Sequence, residues 1–205
     1  MPLDAIFLTG VRREMQARAV GARIDKIQMP ERDTVVLSLR GPAGHEKLLL
    51  NAGPGSARVC FTAQSFENPA QPPMFCMLLR KYITGARILS VTQPPMERLL
   101  DFELDTLDAL GAPCRRRLIV ELMGSYSNVI LTGPDGIVTD CLRRIDSTMS
   151  DRRMLLPGLL YRLPPQPEKR PLSDVSDDEL TRLVSGADAA QQADKWILSA
   201  FSSAA

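Results

Sequence analysis

The chain has a single histidine, His45, in the turn-like run Gly41-Pro42-Ala43-Gly44-His45. That excludes Ser-His-Asp and Cys-His catalysis unless His45 itself serves, and zinc sites built on several histidines. Cysteines are few: Cys60, Cys76, Cys114 and Cys141 stand far apart and form no CxxC pair. Three of them lie in apolar segments, where a thiol behaves as a small hydrophobe, so reduced thiols are expected. No apolar run approaches the roughly 18 residues of a membrane span, and the Met-Pro-Leu-Asp start lacks a basic region followed by an apolar core. A cytoplasmic protein without membrane contact is the expectation. Walker loops, GxSxG, HExxH and a GxGxxG before a helix are also missing, so no enzyme motif, metal or cofactor is announced.

What is present is a soluble, globular composition of 205 residues with a net charge of +1. That length suits one ordinary domain, or one domain and the start of another. The near-neutral total hides a split. Residues 171–205 hold six acids against Arg182 and Lys195, a net −4, which leaves +5 on the first 170 residues. The split marks a boundary and makes the basic part the candidate for contact with polyanions.

The organising stretch is Asn68–Tyr82, a proline-rich approach (Pro69, Pro72, Pro73) followed by Met74-Phe75-Cys76-Met77-Leu78-Leu79-Arg80-Lys81. The apolar run is too long for a typical strand and reads as a buried central helix, with Pro73 near its start and Gly85 past its end. Arg80 and Lys81 suit the negative end of its dipole. Residues 3–20 read as an amphipathic helix with Leu3, Phe7, Val11 and Met15 on its core side and Gly21 as the stop. Short alternating segments surround the central helix: 22–29 closed by Pro30, then 34–40, 47–51, 58–62, 87–92, 98–106, 115–123, 128–132 and 137–141. Nine strands with two helices predict an α+β fold, either two packed, mostly antiparallel sheets or a flattened barrel. Residues 142–171, rich in arginine and proline, read as an irregular basic segment and linker. Ser176-Asp177-Asp178-Glu179 is a capping box opening a helix, and 189–201 suggest a second one.

Three places offer chemistry. Asp101, Glu103 and Asp105 alternate with Phe102 and Leu104 and read as the solvent face of a strand. Glu97-Arg98, at a turn entering that strand, reads either as a surface ion pair or as an arginine fork offered to a phosphate or base. Glu121-Leu122-Met123-Gly124-Ser125-Tyr126 ends a strand in a polar turn. Tyr126 there either stacks on a nucleobase or belongs to an ordinary connection.

Asp4-Ala5-Ile6-Phe7-Leu8, Gly21–Ile27, Asn68–Lys81, Gly85-Ala86-Arg87-Ile88 and Glu121-Leu122-Met123-Gly124 with Ser127-Asn128 together resemble the N-terminal domain of the NFACT family. The resemblance implies a ribosome-associated quality-control factor. Such factors bind large ribosomal subunits carrying a stalled peptidyl-tRNA and recruit charged tRNA. In bacteria this is alanine tRNA, and the nascent chain gains an untemplated alanine tail. Peptidyl transfer belongs to the ribosome, so the resemblance implies no enzyme. It also implies that an Asp-Arg pair and a strand-end ELMGR-type motif contact tRNA. These fall on Glu97 and Arg98 and on Glu121, Leu122 and Met123, with Glu97 in place of the usual Asp and Ser125 in place of a common Arg. With Tyr126, the expected tRNA-binding set is Glu97, Arg98, Glu121, Leu122, Met123, Ser125 and Tyr126.

Residues 172–205 resemble the start of the family's helix-hairpin-helix domain, dividing the chain into 1–171 and 172–205. The family's coiled-coil arms and C-terminal domain have no counterpart, so an N-terminal fragment is expected. Two alternatives follow from the same resemblance. The family's fibronectin-binding name suggests an adhesin, against which stand the missing export signal and unpaired cysteines. The family's N-terminal domain also resembles that of formamidopyrimidine-type DNA glycosylases, which use an N-terminal proline and a catalytic glutamate. Pro2 is present, but Leu3 takes the glutamate's place and an alkyl chain transfers no proton.

Overall fold

A computed structural model of the chain describes residues 4–41, 44–67, 69–95, 97–108, 110–165, 175–187 and 192–201. Pro2, Leu3, Asn68, Met96, the prolines at 167 and 171, and residues 188–191 lie outside the described residues. Residues 1–162 form one compact unit and 163–205 another. The boundary expected at 171 falls outside the described residues.

Helix α1 (Ala5–Ala19) starts at Asp4, whose Oδ1 accepts the Phe7 N–H at 2.6 Å. Its buried stripe is Ala5, Leu8, Met15 and Ala19, whereas Phe7 is 54% exposed. Of the stripe expected through Phe7, Met15 is buried and Val11 packs against the core, but Phe7 itself faces outward, because four-residue steps drift about 40° each around a helix, while the seven-residue step from Leu8 to Met15 nearly closes two turns. Gly21, at φ +84°, then turns the chain into the sheet.

The strands are β1 (Arg23–Glu31), β2 (Thr34–Gly41), β3 (Gly44–Asn51), β4 (Arg58–Phe61), β5 (Arg87–Thr92), β6 (Leu99–Leu107), β7 (Pro113–Glu121), β8 (Asn128–Thr132) and β9 (Val138–Cys141). Pro30 lies inside β1 instead of ending it. It sits where the β1–β2 register shifts between Gln28 and Glu31, so its missing N–H interrupts no regular rung. All described pairings are antiparallel, in the order β4-β3-β2-β1-β5-β6-β7-β8-β9, and the α+β architecture expected from the sequence is found. The two halves of this series meet at the pair Arg23–Arg87, flanked by Gly21 N–H to Ile88 O at 2.8 Å and Ile24 N–H to Ala86 O at 2.9 Å. So narrow a join lets both halves face one core. Leu37 and Leu48 from one half and Phe102 and Leu118 from the other share it with Leu8 and Met15 of α1.

Helix α2 (Met74–Ile83) adds Phe75, Cys76, Leu79 and Ile83 to that core, with Pro73 at its N-cap and Gly85 at φ +82° beyond its end. Met74 and Met77 face outward, at 77% and 49% exposed. Arg80 donates from Nε to the Ile27 carbonyl at 3.0 Å, which binds the helix end to β1.

The opposite face of β6–β9 carries a smaller core of Leu99, Ile119, Ile130, Val138, Cys141 and Leu155, with Ile145 and Tyr161 against it. The basic stretch after β9 therefore belongs to the first unit as far as Arg162, docked through the bridges Ile145–Leu155 and Ile137–Leu160. In the second unit, α3 (Asp177–Ser185) begins at Ser176, whose Oγ accepts the Glu179 N–H at 3.3 Å. Helix α4 (Ala193–Ala200) is followed by Phe201, whose ring meets Trp196 edge-on at 5.9 Å. No described helix is long and apolar enough to cross a membrane.

Candidate functional site

Strands β6 and β7 pair from Leu99–Glu121 to Leu107–Pro113. In an antiparallel pair, the residues just before one strand lie beside those just after the other. Glu97-Arg98 and Leu122-Met123 therefore meet at one sheet end, where the Leu122 N–H donates to the Arg98 carbonyl at 2.8 Å. The β5–β6 turn closes with Glu97 N–H on the Pro94 carbonyl at 3.1 Å. The Gln93 amide then donates to the carbonyls of Glu97 (2.8 Å) and Ala5 (2.9 Å), tying the turn to α1.

Past Glu121 the chain leaves the sheet in one 3-10 turn, Gly124–Tyr126, with Gly124 at φ +59°. Ser127 Oγ accepts the Met123 N–H at 2.9 Å and holds the turn shut. The side chains presented there differ. Ser125 and Tyr126 are exposed, Tyr126 by 73%; Arg98 and Met123 are half-buried; Glu97, Glu121 and Leu122 are buried. All seven residues singled out from the sequence thus lie at one end of the β6–β7 pair, but with unequal access to a ligand.

Glu121 is already engaged. Its oxygens accept from Arg153 Nη1 at 3.1 Å and Nη2 at 2.6 Å, and Tyr161 Oη donates to Oε1 at 2.8 Å. Burial, reinforced by the adjacent carboxylate, pushes the Tyr161 phenol well above its ordinary range. Burial works against the charge of Arg153, and the Glu121 carboxylate outweighs it. A second arginine of the same stretch joins the two sheet halves. Arg143 Nη1 donates to the carbonyls of Ala52 (2.8 Å) and Ser127 (2.7 Å), and Nη2 pairs with Asp33 at 2.8 Å. From the sequence, Arg143 and Arg153 stand out only as parts of a basic segment, and Tyr161 does not stand out at all. Nothing local signals that these side chains fold back onto strand ends.

Asp101, Glu103 and Asp105 also depart from expectation. They do share the face opposite Phe102 and Leu104, but that face is not simply solvent. Asp101 is 8% exposed and takes the Arg117 guanidinium on Oδ2, with Nε at 2.8 Å; Ser90 Oγ donates to Glu103 at 3.2 Å. Beside them lies a cleft of about 330 Å³. Next to the Glu97 turn, a groove of about 720 Å³ runs between Ile6, Thr9, Gly10, Arg12 and Arg13 of α1 and the run Thr92–Pro95.

Comparison with known proteins bears on the family and the fold. Residues 4–204 match the family model described as NFACT N-terminal and middle domains. The chain is 38% identical to the Rqc2 homolog RqcH of Bacillus subtilis over 186 residues, covering 90% of this chain and 33% of that protein. It is 27% identical to the human ribosome quality control complex subunit NEMF over 140 residues, 68% of this chain and 12% of NEMF. The N-terminal structure of the fibronectin/fibrinogen-binding protein from Streptococcus suis superposes with a TM-score of 0.84 at 33% identity, covering 98% of this chain and 74% of that one. The chain spans about a third of the length of the bacterial relatives it matches. By that match, over nearly all its residues, the chain belongs to the NFACT family.

Proposed function

We propose that this chain is the tRNA-binding module of a ribosome-associated quality-control factor, acting in the cytoplasm on large ribosomal subunits that carry a stalled peptidyl-tRNA. Its role there is to recruit charged tRNA, alanine tRNA in a bacterium, for untemplated tailing of the nascent chain, while the ribosome performs peptidyl transfer. The observation that carries this reading is the convergence at one sheet end of Glu97-Arg98 with Leu122-Met123, next to the exposed Tyr126. An arginine fork, a stacking ring and a rigid turn suit an RNA loop with unstacked bases. The neighbouring groove with Arg12 and Arg13 supplies charge for the sugar–phosphate backbone. Relatives named for ribosome quality control support the cellular setting.

The test is sedimentation of the full-length protein with large subunits, followed by sequencing of the bound tRNA. Enrichment of one tRNA species, lost in Arg98→Ala, supports the reading; sedimentation and tailing unchanged in Arg98→Ala would overturn the site. Fibronectin binding is the second reading, favoured by the names of structural relatives. Saturable binding to immobilised fibronectin by the full-length protein, together with its exposure on intact cells, would favour that reading instead.

A further inference from the structure

The groove of about 720 Å³ beside the Glu97 turn has Ile6, Gly10 and Arg13 of α1 on one wall and Pro94 and Pro95 on the other. Ile6 is 69% exposed and Pro95 is exposed, so the groove opens to solvent between two apolar side chains. Gly10 is the unexpected residue. It lies in the middle of α1, where glycine costs a helix more than any residue but proline. Its backbone is helical, and a Cβ built on it would meet no atom within 4 Å. Neither packing nor backbone geometry therefore calls for glycine there, and its missing side chain keeps the rim of the groove low.

The polar groups of the groove narrow its occupant. Gln93 spends both amide hydrogens on the Ala5 and Glu97 carbonyls, and its Oε1 receives the Thr9 hydroxyl at 3.1 Å. These groups hold the two walls together and leave few donors to read the edge of a base. Arg12 Nη1 donates to Gln16 Oε1 at 2.7 Å, whereas Arg13 is exposed and has no hydrogen-bond or ion-pair partner among the described residues. No carboxylate is among the described residues that line the groove. Its chemistry suits an occupant that joins an anion to a flat apolar surface. A nucleotide has both, a phosphate for an arginine and a base face that every base shares.

We propose that this groove holds one nucleotide of single-stranded RNA whatever its base, with the phosphate on Arg13, the base against Ile6 and Pro95, and the strand crossing the rim at Gly10; the inference rests on the RNA-binding reading above and adds a base-tolerant subsite to it. The test measures binding of labelled alanine tRNA to the full-length protein by fluorescence anisotropy, with a thermal melt of each variant. Ile6→Ser should weaken binding about fivefold without lowering the melting temperature, because the side chain it removes is exposed. Gly10→Leu should raise the melting temperature, as a helix former replaces glycine, and yet weaken binding about tenfold or more by filling the rim. A lower melting temperature in Gly10→Leu would mean that the glycine serves the fold, and would remove it from the subsite. Oligoadenylate and oligouridylate should both compete with tRNA and lose affinity by the same factor in Ile6→Ser; a loss confined to one of them overturns the base tolerance. Unchanged tRNA affinity in both Ile6→Ser and Gly10→Leu, alongside a loss in Arg98→Ala, overturns this subsite alone. Absence of tRNA binding by the unsubstituted full-length protein overturns the wider reading and the subsite with it.

Discussion

Leu122 donates its backbone N–H to the carbonyl of Arg98 at 2.8 Å, one step beyond the last rung between β6 and β7. That bond continues the ladder past the strand ends, so the candidate arginine is anchored at its backbone while its side chain stays half-buried at the surface. The backbone of Arg98 therefore serves the fold, and its side chain is not needed for that bond.

Arg98→Ala should lower tRNA affinity of the full-length protein about tenfold or more while leaving thermal stability almost unchanged, since the backbone bond survives. Filter binding and a thermal melt, run on one preparation, check both halves.

Tyr126→Ala should cost about 1–3 kcal/mol of tRNA binding if the exposed ring stacks on a base. Tyr126→Phe should retain most of it. Equal loss in both variants would point to the hydroxyl and away from stacking.

Arg12→Ala and Arg13→Ala should each weaken tRNA binding and reduce the slope of log affinity against log salt by about 0.7–0.9 for every phosphate that the variant no longer neutralises. Affinity measured across a salt series decides it; an unchanged slope would remove α1 from the RNA surface.

Glu121→Gln should destabilise the chain by about 3–5 kcal/mol, because Arg153, 9% exposed at its side chain, is left charged and buried. Urea unfolding of Glu121→Gln, Arg153→Met and the double variant should show strong non-additivity. Simple additivity would mean that the pair is not coupled.

Burial, with the Asp140 carboxylate next, pushes the Cys141 thiol up to about 12 from an ordinary 9.0. A raised pKa means that the folded chain holds the proton more tightly than the unfolded one. The resulting stability is complete below pH 9 and is lost as the pH rises toward 12. The raised Tyr161 phenol acts in the same direction. Urea midpoints should therefore fall through that range, less steeply in Cys141→Val, and the native thiol should react slowly at neutral pH.

Much of the fold is legible in the sequence because its signals are local. Pro73 and Gly85 bracket α2, and Arg87–Thr92 and Asn128–Thr132 are strands at the bounds that alternation and turns suggest. Pro30 misleads because a proline's cost in a strand depends on whether its neighbour needs the missing N–H, which is a matter of register. Phe7 misleads because helical drift over several turns decides which side is buried. Asp101 reads as solvent-facing because its partner, Arg117, comes from the next strand on the diagonal. Arg153 reaches Glu121 across 32 positions of sequence, where no spacing rule applies.

The amino-acid order alone determined the elements, the α+β class and the family, since alternation, caps and turn residues act over a few positions. It also singled out Glu97-Arg98 and Glu121–Tyr126. Only the tertiary structure decided that these two runs share one strand end, that Glu121 is locked to Arg153 and Tyr161, and that Asp101 is buried against Arg117. The physical reason is antiparallel pairing and long-range ion pairing: both bring together residues whose separation in sequence carries no trace of their proximity in the fold.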